Sequence, residues 1–156
     1  MYRSILVAVD GSQAAARALE QAVELARSHG GRLTLISVVP RIRRYGWPLF
    51  VPYPSEAELA RQARAIAERA EALVPPDVPV CAIVRNGPAA KAILDRAEQG
   101  EHDLIVLGSR GLPPAASAVL GGVSAAVVAR SSVPVLVVPA RISAARTQEL
   151  EAVVAA

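Results

Sequence analysis

The sequence predicts a three-layer α/β domain, an open parallel sheet with helices on both faces, and three observations predict it. Short Val- and Ile-rich runs alternate with longer segments of helical periodicity, the pattern of strands joined by crossover helices. Five such runs fit within 156 residues, enough chain for one domain with a buried core. The last crossover opens on a glycine pattern: Gly108-Ser109-Arg110-Gly111, then nine residues, then Gly121-Gly122-Val123-Ser124.

Each element has its own local signal. The first strand spans about Ser4–Val9 and ends at Asp10. A helix follows from Ser12 to about Ser28, with Ala15, Ala18, Leu19, Ala22, Val23 and Ala26 as its buried stripe and Gly30-Gly31 as its stop. The second strand covers about Arg32–Val39 and is closed by Pro40. A loop from Pro40 to Pro54 carries four of the five aromatics, Tyr45, Trp47, Phe50 and Tyr53. The next helix runs from Ser55 to about Val74, and Ser55 with Glu58 forms a capping box. The third strand is about Val78–Val84. Asn86-Gly87-Pro88 then opens a helix with proline in its first turn, and Gly100 ends it. The fourth strand, about Asp103–Leu107, leads into the glycine pattern. A helix from about Gly122 to Arg130 precedes the fifth strand, Pro134–Val138. One domain therefore covers residues 1–140. The tail, 141–156, has Leu150, Val153 and Val154 at helical spacing and is expected to form a short helix.

Composition narrows the function classes. The chain is 53% hydrophobic and 20% charged, as in globular proteins. Its apolar runs, such as Ile5–Val9 and Val135–Val138, are too short to span a bilayer. It enters a strand at once, without a signal peptide's cleavage pattern, and its single cysteine, Cys81, cannot form an internal disulfide. A soluble cytoplasmic protein is expected. The net charge of +3 and pI of 9.6 invite a nucleic-acid partner. However, Arg61, Arg64 and Arg69 alternate with Glu58, Glu68 and Glu71 as a solvated helix face, so nucleic acid is not expected. Lys91 is the only lysine, and no Walker-type Gly-Lys-Ser/Thr occurs.

In an open α/β sheet, ligands bind at the carboxyl ends of the strands, where strand order reverses. Asp10, Val38-Val39-Pro40 and Gly108 all fall at such ends. If the first and fourth strands are neighbours, Asp10 faces the glycine pattern. Glycines let backbone approach a ligand closely, and the following helix start favours phosphate. Equally, these glycines can simply turn the chain, with Pro113-Pro114 stiffening the excursion. Arg110 reaches either a phosphate or a surface carboxylate. Ser109 and Ser117 have no His or Asp placed to activate them. His29 beside Gly30 reads as structural, and His102 has no obvious partner. With Cys81, these histidines show no zinc spacing. The aromatic loop is a nucleotide cover, a dimer or partner contact, or local packing.

Over roughly Met1–Ala140 the chain resembles the universal stress protein family. The residues that carry this are Ile5-Leu6-Val7-Ala8-Val9-Asp10-Gly11-Ser12, Ser132-Val133-Pro134-Val135-Leu136-Val137-Val138-Pro139, and Gly108-x2-Gly111-x9-Gly121 between them. That glycine pattern is similar to the family's ATP-binding branch. The resemblance implies strand order 3-2-1-4-5 in an adenine nucleotide alpha hydrolase-like fold. It also implies a homodimer paired through the fifth strands, Pro134–Val138. It puts adenine near the backbone of Ala8 and Val38, with Val9 beside them, and Asp10 near the ribose and a Mg2+ bound to ATP. Phosphates would rest on Gly108, Ser109, Arg110 and Gly111, and on Gly121, Gly122, Val123 and Ser124.

One departure stands out. The family's nucleotide-binding pattern has Ser or Thr directly after the last glycine, where this chain has Gly122. A lost neutral hydrogen bond costs about 0.5–1.5 kcal/mol, roughly 2- to 13-fold in affinity. Ser124 is expected to cap the helix's first turn instead. The expected function is a small dimeric ATP-binding regulator of stress responses. The alternatives are a dimerisation module without nucleotide and a slow ATPase, for which no residue is placed as a base.

Overall fold

The computed structural model describes residues 1–40, 52–109 and 122–140. Along the chain these form β1 (Ser4–Ala8), α1 (Gln13–His29), β2 (Arg32–Val39), α2 (Glu56–Ala72), β3 (Val80–Asn86), α3 (Ala89–Gln99), β4 (Leu104–Ser109), α4 (Gly122–Arg130) and β5 (Val135–Pro139). All neighbouring strands are parallel, in the order β3-β2-β1-β4-β5. This is the expected three-layer α/β architecture with the expected strand order. The tail and most of the aromatic loop lie outside the described residues. Among the described residues, no helix is long and apolar enough to cross a membrane.

Two cores flank the sheet because strand side chains alternate between faces. Ile5, Val7, Leu33, Leu35, Leu104 and Val106 pack under α1 and the end of α2. Leu6, Ile36, Ile105 and Leu107 pack under α3 and α4 through Ile93, Ala97 and Val127. β1 is central, so Ile5, Leu6 and Val7 are all fully buried, which explains its unbroken apolar run. The buried face of α1 is mostly alanine (Ala14, Ala15, Ala18, Ala22, Ala26), which allows the helix axis to approach the sheet closely.

The helix ends follow the sequence signals with one exception, Pro88. Ser12 caps α1 by accepting from the Ala15 N–H at 3.1 Å, and Gly30 closes it in the left-handed conformation at φ 62°. The capping box of α2 is present: Ser55 Oγ accepts from the Glu58 N–H at 3.2 Å, and Glu58 accepts from the Ser55 N–H at 2.7 Å. The Ser55 N–H, and then the Ser55 hydroxyl at 2.9 Å, donate to the Glu58 carboxylate and hold it below its ordinary pKa. Pro88, by contrast, is the N-cap of α3 with extended backbone (φ −64°, ψ 124°), not a residue of its first turn. Gly100 ends α3 as expected, at φ −94°.

Strand boundaries shift where pairing decides them. β3 begins two residues later than expected, because the Val78 N–H is taken by a turn bond to Pro75 O. β4 runs two residues further than expected, since β5 pairs Gly108 with Val138 and Ser109 with Pro139. β5 is displaced by one residue, Val135–Pro139 instead of Pro134–Val138, and β1 stops at Ala8 instead of Val9.

Candidate functional site

The chain lays β1, β2 and β3 outward in one direction and β4 and β5 in the other, so strand order reverses between β1 and β4. A cleft of about 1650 Å³ opens at the carboxyl ends there, lined among others by Ala8, Asp10, Val38, Gly108, Gly122 and Ser124. Ligand pockets usually enclose roughly 300–1,000 Å³, so size excludes few small ligands and the lining chemistry must decide.

Asp10 sits just past β1, beside Gly11 in the left-handed region at φ 79°. Its Oδ1 accepts from the Ser12 N–H at 2.9 Å, while the Ser12 side chain caps α1. The carboxylate is thus oriented by the start of α1 and exposed at the cleft. β1 and β4 are paired, which places Asp10 on the same edge of the sheet as Gly108. Ala8 and Val38 pack on the α3–α4 side of the sheet and reach the cleft together. Val9 is buried, and its N–H donates to Ile36 O at 2.9 Å, so that amide is used within the fold.

The glycine pattern divides into parts with different physical causes. Gly108 belongs to β4, not to the turn after it. A Cβ there would lie 2.5 Å from Ala14 C, 2.6 Å from Ala15 N and 2.8 Å from Ala14 Cβ. Glycine at 108 is therefore required by the close approach of the first turn of α1, whatever binds in the cleft. Gly122 differs: among the described residues, an added Cβ would meet nothing within 4 Å. Ser124 is buried and does not cap α4. Its hydroxyl donates to Gly108 O at 3.3 Å and ties the helix start to the end of β4. Val123 is partly exposed at the cleft, and Ser109 is paired in β4. Arg110, Gly111 and Gly121 lie outside the described residues.

Sequence reasoning missed several lining residues. Ser37 is 2% exposed and supplies a hydroxyl at the carboxyl half of β2, among Leu35, Ile36, Val38 and Val39. Asn86 closes β3, Glu56 opens α2, and Tyr53 was noticed only as one of a group of loop aromatics. The lone serine in Leu-Ile-Ser-Val-Val was a usable signal for Ser37. Glu56 carried no signal of its own, since the capping box beside it is formed by Ser55 and Glu58. His102, expected to be without a partner, shares a 3.0 Å hydrogen bond with Ser4 at the opposite edge of the sheet. His29 Nδ1 lies 2.8 Å from Leu25 O, a local helix-end bond. Among the described residues, no group of three His, Cys, Asp or Glu could hold a metal ion.

Comparison with known proteins places this geometry. A family model described as the universal stress protein family matches residues 1–139. A universal stress protein of Thermus aquaticus is 40% identical over 139 residues, covering 88% of this chain and 99% of that protein. Among solved structures, a universal stress protein from Archaeoglobus fulgidus has a TM-score of 0.71 at 23% identity, covering 88% of this chain and 99% of that one, a likeness of fold. A universal stress protein in complex with cAMP has a TM-score of 0.61 at 26% identity, covering 90% and 98%. The fold is the adenine nucleotide alpha hydrolase-like one.

Proposed function

This chain belongs to the universal stress protein family, and from that premise we propose that it is a cytoplasmic regulatory protein of the stress response that binds an adenine nucleotide. The observation that carries this reading is the position of the cleft, at the strand-order reversal, with Asp10 on one side and the amino end of α4 on the other. A helix start presents free N–H groups and a positive dipole end to an anion. Gly122, Val123 and Ser124 begin such a helix. A relative of the same fold was solved with cAMP, which supports an adenine ligand here.

In this reading, adenine lies against the backbone of Ala8 and Val38, and the phosphates lie toward α4. ATP would bring Mg2+ with it. Asp10 supplies one hard oxygen ligand, and phosphate and water supply the rest, which suits a cation that keeps much of its hydration. The protein binds rather than turns over its ligand. We also place the homodimer at β5, an edge strand whose Leu136 is exposed. An unpaired edge is a ready template for a second copy. The family domain covers residues 1–140, with 141–156 an appendage.

A second reading, a dimerisation module of the same fold without nucleotide, draws on two observations. Packing alone accounts for Gly108, and Gly122 lacks the family's hydroxyl. Calorimetric titration with Mg-ATP, AMP and cAMP separates the two. Binding releases heat and, at 100-fold excess over Kd, stabilises by about 2.7 kcal/mol. No heat and no melting shift at millimolar nucleotide removes the ligand from the account. Gly122→Ser sharpens the test, because no described residue stands within 4 Å of a Cβ added there. Tightening by roughly 2- to 13-fold is expected if phosphate lies there. A slow ATPase is the outcome if phosphate release exceeds that of Asp10→Ala.

A further inference from the structure

Both histidines of the chain contact residues at the start of β1, opposite the cleft, His29 through Tyr2 and His102 through Ser4. The His29 ring meets Tyr2 edge-on, with centroids 5.7 Å apart. The His102 Nδ1 shares its 3.0 Å hydrogen bond with Ser4 Oγ, and both residues are buried. The same corner is clipped twice more. The Asp103 carboxylate accepts from the Arg3 N–H at 2.7 Å and the Ser4 N–H at 3.2 Å, and the Asp103 N–H donates to Ser4 O at 2.9 Å.

His102 is the unusual member. Its Nε2 is buried without a hydrogen-bond partner, and it presses on Gly100, where an added Cβ would lie 2.5 Å from that nitrogen. The charged groups facing the ring are Arg96 from α3, Arg32 from β2 and Asp103 at the head of β4. Two of the three repel a positive imidazole, and the Asp103 oxygens already accept from backbone. A neutral ring fits this pocket and an imidazolium does not.

We propose that the start of β1 is an acid-responsive clasp, in which protonation of His102 breaks its fit between Ser4 and α3 and loosens the amino edge of the sheet. Burial, then Arg96, holds the folded His102 below the ordinary histidine value of 6.5. The unfolded chain therefore binds the proton first as pH falls. The clasp's contribution is fully present above about pH 6.5 and is lost as pH falls through the lower, folded value. Each unit of separation between the two values is a tenfold change in the unfolding constant.

Urea unfolding of the full chain between pH 7.5 and 5 tests this, alongside NMR titration of the His102 ring and the Ser4 and Asp103 amides. The ring should titrate below the ordinary value, and the two amides should move with its midpoint. Arg96→Gln should raise that midpoint by removing a like charge. His102→Gln should flatten the acid side of the stability profile, and His29→Gln should retain it. A ring that titrates at or above the ordinary value overturns the proposal, as do amides that ignore its midpoint. If His102→Gln does not fold, the ring titrations of the parent and Arg96→Gln proteins still decide.

Discussion

Replacing Gly108 with alanine is the sharpest test of the packing argument. The added methyl would lie 2.5 Å from Ala14 C and 2.6 Å from Ala15 N, both backbone atoms of the first turn of α1. A flexible side chain could swing away from such a contact. A helix backbone held by the Ser12 cap and by buried Ala14, Ala15 and Ala18 cannot move alone. Overpacking a core costs about 1–3 kcal/mol, and a backbone clash belongs at the upper end. For a domain of this size each kcal/mol lowers Tm by about 2–4 °C, so a fall of roughly 6–12 °C is expected by calorimetry. Gly122→Ala is the control, since its methyl meets none of the described residues and removes a helical glycine. It should be neutral or raise Tm by up to about 4 °C. A Gly108→Ala protein that melts within about 2 °C of the parent refutes the steric account. If it also loses nucleotide, the glycine serves the ligand after all.

Two further outcomes follow from the site. Ser12→Ala removes the side-chain cap of α1 but keeps the backbone N–H that Asp10 accepts, so it should cost about 1 kcal/mol in thermal melts and leave nucleotide affinity unchanged. Asp10→Asn should weaken Mg-ATP severalfold in calorimetry while leaving cAMP measured in EDTA unaffected. Equal losses for both would remove the cation role from Asp10.

Most of the fold was legible because its signals are local. The alanine stripe of α1, the Ser55–Glu58 box and the runs of β1 and β2 each carry their own pattern, and the structure shows all of them. What sequence reasoning misplaced depends on a neighbour. The end of β4 is set by pairing with β5, and the start of β3 by a turn at Pro75. The role of Pro88 depends on where α3 takes up its bonds. The cleft was legible in outline, since Ala8, Asp10, Val38, Gly108, Gly122 and Ser124 all line it. The causes were less legible. A glycine required by a crossing helix and a glycine that no described residue crowds look alike in a sequence. Ser124 read as a cap because its partner, Gly108 O, lies 16 residues away.

The two edges of the sheet also divide the labour, and that division is testable. Among the described residues, Asp10, Gly122 and Val123 are exposed around the cleft at the carboxyl edge. The amino edge is closed by Ser4, His102, Asp103 and Gly31, where a Cβ would lie 2.8 Å from Tyr2 O. β1 joins them over five residues, roughly 17 Å of strand. Changes more than about 7–10 Å apart with no shared partner usually add. Ser4→Ala deprives His102 of its buried partner and should lower stability. Nucleotide should then stabilise the variant and the parent by the same increment, because that increment depends only on ligand concentration and Kd. If Ser4→Ala changed Kd by more than about threefold (~0.7 kcal/mol), the edges would be coupled along β1. The cleft would then have to be counted as part of the clasp.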